Sequence, residues 1–320
     1  MVPAQACSRR YVRPIDPFVQ AAQDEIDELP EAISPQRGIH GRTIAERRGS
    51  CLTDFAECDY PSGQRSRQLA VNNTSIVLIH SPLVGPLTWA PVSRHLRRHG
   101  RHTIVPRLRA VEGEAAPVWA QYGQEVASVV TSLPAQQEFV LVAHSGAGPL
   151  LPAVAAWSPV PVAGYLFVDA GLPHGGKSWL HELESSLPEG TAAIRQTLEA
   201  GGRWPEWTDD DLREVIPDDG VRRSVLAELQ PRALAYFTEV MPPFASFPDA
   251  PCGYLKLSAA YQGPAYQAQQ QGWPYREIEA GHFHMLVDPE GVAALLLELI
   301  LEVLGREMSS GTDRSVRPCA

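Results

Sequence analysis

From Ser75 onward, short apolar runs alternate with helical stretches, and this alternation restricts the fold more than any other feature of the chain. Ile76-Val-Leu-Ile79 reads as a buried strand, and Trp89 to His99 as an amphipathic helix ended by Gly100. His102 to Val105 is the next strand, and Val118 to Leu133 the next helix, stopped by Pro134. Phe139 to Val142 and Val162 to Val168 repeat the strand signal, with a helix through Trp157 between them. Strands that are apolar throughout are buried on both faces. Helical connections between them imply parallel pairing through right-handed crossovers. The expected fold class is therefore α/β, a mostly parallel sheet flanked by helices.

The alternation stops after residue 170. Residues 171–250 are helical, broken by Pro and Gly, and hold Trp179, Trp204, Trp207, Tyr236, Phe237, Met241, Phe244 and Phe247. These read either as the private core of a helical cap or as the lining of an apolar pocket beneath it. Strands then resume at Cys252 to Ala259 and Tyr275 to Ile278, and a helix over Pro289 to Gly305 closes the domain. The expected division is a core of residues 71–170 and 251–306, a cap of 171–250, a polar and partly disordered extension of 1–70, and a flexible tail of 307–320. A chain of 320 residues with 44% hydrophobic and 20% charged residues has the means to bury such a core. The net charge of -10 argues against nucleic acid as a partner. Arg94, Arg97, Arg98 and Arg101 read as one solvated helix face. The five cysteines, Cys7, Cys51, Cys58, Cys252 and Cys319, are scattered and odd in number, which predicts reduced thiols in the cytoplasm. The first residues lack an apolar leader core and no run is long enough to span a bilayer, so no membrane is expected.

The chemistry centres on Ser145. In Glu138-Phe-Val-Leu-Val-Ala-His-Ser-Gly-Ala-Gly, the serine stands where a buried strand turns into a helix, among Ala143, Gly146, Ala147 and Gly148. So tight a corner needs small neighbours, and the helix that follows favours negative charge at its start. A base follows in Ala280-Gly-His282-Phe-His284, between the last strand and the last helix. A serine needs such a base to become a nucleophile.

With the serine corner, the Gly281-His282 pair and the order Ser before His, the chain from Ser75 to Gly305 resembles the α/β-hydrolase superfamily, in the branch with a helical cap after the sixth strand. The resemblance implies Ser145 as nucleophile and His282 as base, with His284 the alternative. It places the acid just beyond the strand Gly253 to Ala259, but this chain has Ala260-Tyr261-Gln262-Gly263 there. Asp169, at the end of the preceding strand, is either the substitute acid or a cap for the segment after it. Asp288, before Pro289, reads as a helix cap. The resemblance also implies an oxyanion site with one donor from the Gly146 amide and one from His80-Ser81-Pro82-Leu83. Pro82 occupies the usual donor position and has no N–H, which leaves Leu83 or the Ser81 side chain. His80 and His144 are expected to be structural.

The expected function is cofactor-free hydrolysis of an ester, thioester or lactone of a hydrophobic small molecule. The alternative is a lyase or cyclase on the same fold, as in β-elimination of a carboxylate from a natural-product intermediate of secondary metabolism. A non-catalytic binding protein is a third possibility. Substrate identity and oligomeric state are not legible in the sequence.

Overall fold

In the computed structural model, which describes residues 74–305 apart from 111, 115, 134–136, 187 and 246, the apolar runs form a six-stranded sheet. Its strands are β1 (Ser75–Ile79), β2 (Thr103–Ile104), β3 (Phe139–Ser145), β4 (Gly164–Ala170), β5 (Cys252–Lys256) and β6 (Tyr275–Glu277). They stand in the order β2-β1-β3-β4-β5-β6, and each neighbouring pair is parallel. The extension expected over 1–70 and the tail over 307–320 lie outside the described residues.

Alternation along each strand sends successive side chains to opposite faces. Ile76 and Leu78 of β1 pack with Val92 and Leu96 of α1 (Ala90–Arg98) and with α11 (Pro289–Leu304). Val77 and Ile79 pack on the other face, with α2 (Val118–Val130), α3 (Leu151–Trp157) and α9 (Gln262–Gln270). The helix α11 buries Val292, Leu296, Leu299, Ile300 and Val303, each contributing about 1.5–3 kcal/mol when removed from water. Its start is set by Pro289 and by the Asp288 carboxylate, which accepts the Gly291 amide at 2.9 Å.

Between β4 and β5 the chain forms α4 (Trp179–Ser186), α5 (Pro188–Glu199), α6 (Asp209–Leu212), α7 (Asp219–Ala227) and α8 (Leu234–Thr238). Leu180, Leu183, Ile194, Leu198, Trp204 and Phe237 form a core of their own there, joined by Leu83 from the loop after β1. The strand expected to run to Ala259 ends at Lys256, because the next two amides turn into a side chain of β4 instead of extending the ladder. No helix among the described residues is long and apolar enough to cross a membrane.

In this strand order the chain moves outward from β1 to β2 and then returns to the other side of β1 as β3. The connections after β1 and β3 therefore leave in opposite directions, opening a crevice at the carboxyl edge of the sheet, where open α/β sheets bind ligands.

Candidate active site

Ser145 ends β3 in this crevice with φ 58°, the left-handed region that side chains other than glycine rarely adopt. The turn behind it has little room. A Cβ on Gly148 would stand 2.1 Å from the Gly171 carbonyl oxygen, so the backbones of two segments meet where only glycine fits. Gly146 is different: a Cβ there would meet Ser81 Oγ at 3.5 Å, Pro82 Cδ at 3.6 Å and Trp179 Nε1 at 3.9 Å, all ordinary contacts.

Asp169, on the neighbouring strand, is the other non-glycine residue with positive φ among the described residues, at 43°. The ladder explains its orientation. His144 pairs with Val168 and Ser145 with Ala170, so Asp169 is one residue too many in β4. Such a bulge re-aims a side chain at the end of a strand. Asp169 is fully buried and accepts four hydrogen bonds: Leu257 N at 2.9 Å, Ser258 N at 2.9 Å, Ser258 Oγ at 2.6 Å and His282 Nδ1 at 2.7 Å. The end of β5, where the acid was expected, thus supplies donors to a carboxylate on β4. Glu277, the first carboxylate after Tyr261, is held by Lys256 Nζ at 2.6 Å.

His282 donates through Nδ1 to Asp169, which leaves Nε2 as its acceptor nitrogen. Its backbone is fixed as well, since His144 Nε2 donates to the His282 carbonyl at 3.1 Å and the two rings lie 4.4 Å apart. Burial pushes the His144 imidazole well below its ordinary value, so it serves as a neutral clamp. His80 is a second one. It donates through Nδ1 to the Ser81 carbonyl at 2.8 Å and accepts the Leu108 amide at Nε2, and burial lowers it to about 4. His284 opens α10 (His284–Val287) and does not line the cleft.

Ser81, Leu83, Ser145, Gly146 and His282 all border one narrow cleft. Asp169 lies behind His282. The cap supplies Trp179, Trp204 and Trp207 to the cleft wall, so its aromatics serve both as private core and as lining. The Leu83 amide points at Ser81 Oγ, 3.4 Å away, which leaves the Ser81 hydroxyl proton for another acceptor. A second narrow space shares Gly146 and Trp179 with the first and continues past Tyr236, Met241 and His174.

Sequence reasoning passed over Tyr261. This residue ends the short turn Ala259–Tyr261 after β5, and its hydroxyl lies 3.0 Å from Ser145 Oγ. Its ring stacks on His282, with centroids 5.1 Å apart and planes at 9°. The signal was present as an aromatic residue in the place of the expected carboxylate.

The alpha/beta hydrolase family model matches residues 76–295. Comparison with the curated proteins finds no match. Among solved structures, an extracellular α/β-hydrolase from a Paenibacillus species superposes with TM-score 0.57 at 20% identity, covering 73% of this chain and 100% of that one. A pyrethroid hydrolase from Sphingobium faniae gives TM-score 0.54 at 20% identity, covering 71% and 97%. Tomato methylketone synthase I, complexed with beta-ketoheptanoate, gives 0.56 at 15%, covering 72% and 98%. Those likenesses are of fold. The family match spans most of the chain and contains both Ser145 and His282, and the chain therefore belongs to the alpha/beta hydrolase family.

Proposed function

We propose that this protein cleaves an ester, thioester or lactone of a hydrophobic small molecule, with Ser145 as nucleophile, His282 as base and Asp169 orienting the base. The observation that carries the reading is the 2.7 Å contact from His282 Nδ1 to a buried Asp169, beside a cleft that Ser145 and His282 share. Ser145 Oγ attacks the carbonyl carbon while its proton passes to His282 Nε2, and water later releases the acyl group. The Gly146 amide and the Ser81 hydroxyl hold the developing oxyanion, with the Leu83 amide behind Ser81. A single donor of this kind is worth about 2.7–4 kcal/mol to the transition state. The three tryptophans of the wall support an apolar substrate, and the reaction needs no cofactor. Cys252, a buried free thiol, is consistent with a reducing, cytoplasmic setting.

A fluorophosphonate probe is expected to label Ser145, and Ser145→Ala to abolish both labelling and turnover. Turnover that persists in a protein resisting the probe counts against acyl-enzyme chemistry. The second reading, elimination of a carboxylate, is favoured by Pro82 and by the hydrogen bond of Ser145 to a phenol. Turnover in heavy-oxygen water separates the two readings. Hydrolysis carries one solvent oxygen into the acid product, and elimination carries none.

A further inference from the structure

We propose that Tyr261 is a catalytic residue whose phenolic O–H donates a hydrogen bond to the leaving-group oxygen, fitting this site to esters of unactivated alcohols. The inference rests on the serine-hydrolase reading of Ser145 and goes beyond it in naming the class of leaving group. Its hydroxyl is 3.0 Å from Ser145 Oγ, the atom that bonds to the acyl carbon. Once that bond forms, the other substituents of the carbon stand one bond beyond Oγ, within reach of a group that now touches it. Ser81 Oγ, Pro82 Cδ and Trp179 Nε1 occupy the Gly146 side, where the oxyanion lies. Tyr261 is on the histidine side, its ring flat against His282. That is the side of the leaving oxygen, because His282 must return its proton there.

The Oγ–C bond forms as the Ser145 proton moves to His282 Nε2. The bond from carbon to the alcohol oxygen then breaks, its electron pair stays on that oxygen, and His282 gives the proton back to it. Tyr261 keeps its own proton throughout and stabilises the charge on the oxygen until the transfer is complete. An alkoxide needs that help, whereas a nitrophenolate carries its charge without it.

The full-length enzyme and Tyr261→Phe are to be compared on ethyl butyrate and 4-nitrophenyl butyrate, which share one acyl group. The variant keeps the ring and its stacking on His282 and loses only the hydroxyl. The expected kcat falls roughly 100-fold on the ethyl ester and less than about 5-fold on the nitrophenyl ester, with KM unchanged on both. Fluorophosphonate labelling, whose leaving fluoride needs no donor, is expected to keep its rate. Equal losses on both esters, or no loss on either, overturn the proposal. Should the variant not fold, parent turnover across esters of alcohols of rising pKa serves instead. A shallow dependence supports the proposal, and a steep one, or nitrophenyl cleavage without ethyl cleavage, overturns it. Ser145→Ala that still cleaves either ester, or a parent that cleaves neither, refutes the underlying serine reading and is told apart by that pattern.

Discussion

At the scale of single residues, the site turns on how many donors Asp169 holds. Two backbone amides, a serine hydroxyl and the His282 ring all point at its two oxygens. Asp169→Asn replaces one of those oxygens with an NH2 that can only donate, to Ser258 Oγ or to a His282 Nδ1 that has given up its proton. The variant is expected to lose about 10³–10⁴-fold in kcat, because that tautomer leaves Nε2 protonated and unable to take the Ser145 proton. It is also expected to lose about 1–3 kcal/mol of stability, because hydrogen bonds to a carboxylate give way to weaker ones to a neutral amide. Ser258→Ala removes one donor and leaves both amides, so its stability cost is expected near 1 kcal/mol, with less than about a tenfold loss in kcat. Steady-state kinetics and urea unfolding check both variants, and an Asp169→Asn enzyme of parental kcat would sink the assignment. The sequence left Asp169 open between acid and cap for a physical reason. Its orientation depends on one unpaired residue in β4, and a bulge is a property of two strands together that no local pattern encodes. Tyr261 stayed hidden because nothing in Ala260-Tyr261-Gln262 says that its ring reaches back across the sheet to Ser145.

At the scale of elements, the turn from β3 into α3 uses its two glycines for different ends. Gly148 lets backbone meet backbone at Gly171, and neither segment is free to move away. Gly148→Ala is expected to cost upwards of about 3 kcal/mol and to lower the melting temperature sharply. Gly146→Ala meets only ordinary contacts, and melting is expected to stay near the parent. Its methyl group nevertheless fills the space beside Ser81 Oγ and Trp179 Nε1 that an oxyanion needs, so fluorophosphonate labelling is expected to slow at least tenfold. Melting curves and labelling rates read the two effects separately, and a Gly146→Ala protein labelled at the parental rate argues against the oxyanion assignment. The run of small residues was plain in the sequence, but which of them served packing and which served chemistry depended on residues distant in the chain, Ser81 upstream and Gly171 and Trp179 downstream. The order of the central elements was legible for the opposite reason, because β1, β3, β4 and β5 are announced by their own apolar runs and α1 by its own amphipathic face, whereas α9 carried no such signal. The cap was legible only as helical and aromatic, since Trp179 and Trp204 pack within it and line the cleft at once.

At the scale of the whole molecule, two buried neutral histidines join layers that acid should separate. His80 connects the end of β1 to the backbone at Leu108, and His144 connects β3 to the loop that carries His282. Burial lowers both imidazoles, His80 to about 4 from an ordinary 6.5. Between those two values the unfolded chain binds a proton that the folded chain refuses, so stability falls as pH drops through this window. For His80 alone the loss between pH 7 and pH 5 comes to about 2 kcal/mol, and His144 adds to it in the same direction. His80→Asn keeps a donor for the Ser81 carbonyl and cannot take up the proton. It is expected to be less stable than the parent at pH 7, yet to lose less stability on going to pH 5. Urea unfolding at pH 7, 6 and 5 measures both slopes. Equal slopes in parent and variant would remove His80 as a source of acid lability. A flatter slope in the variant would tie the integrity of the catalytic edge to the neutrality of a histidine that takes no part in the chemistry.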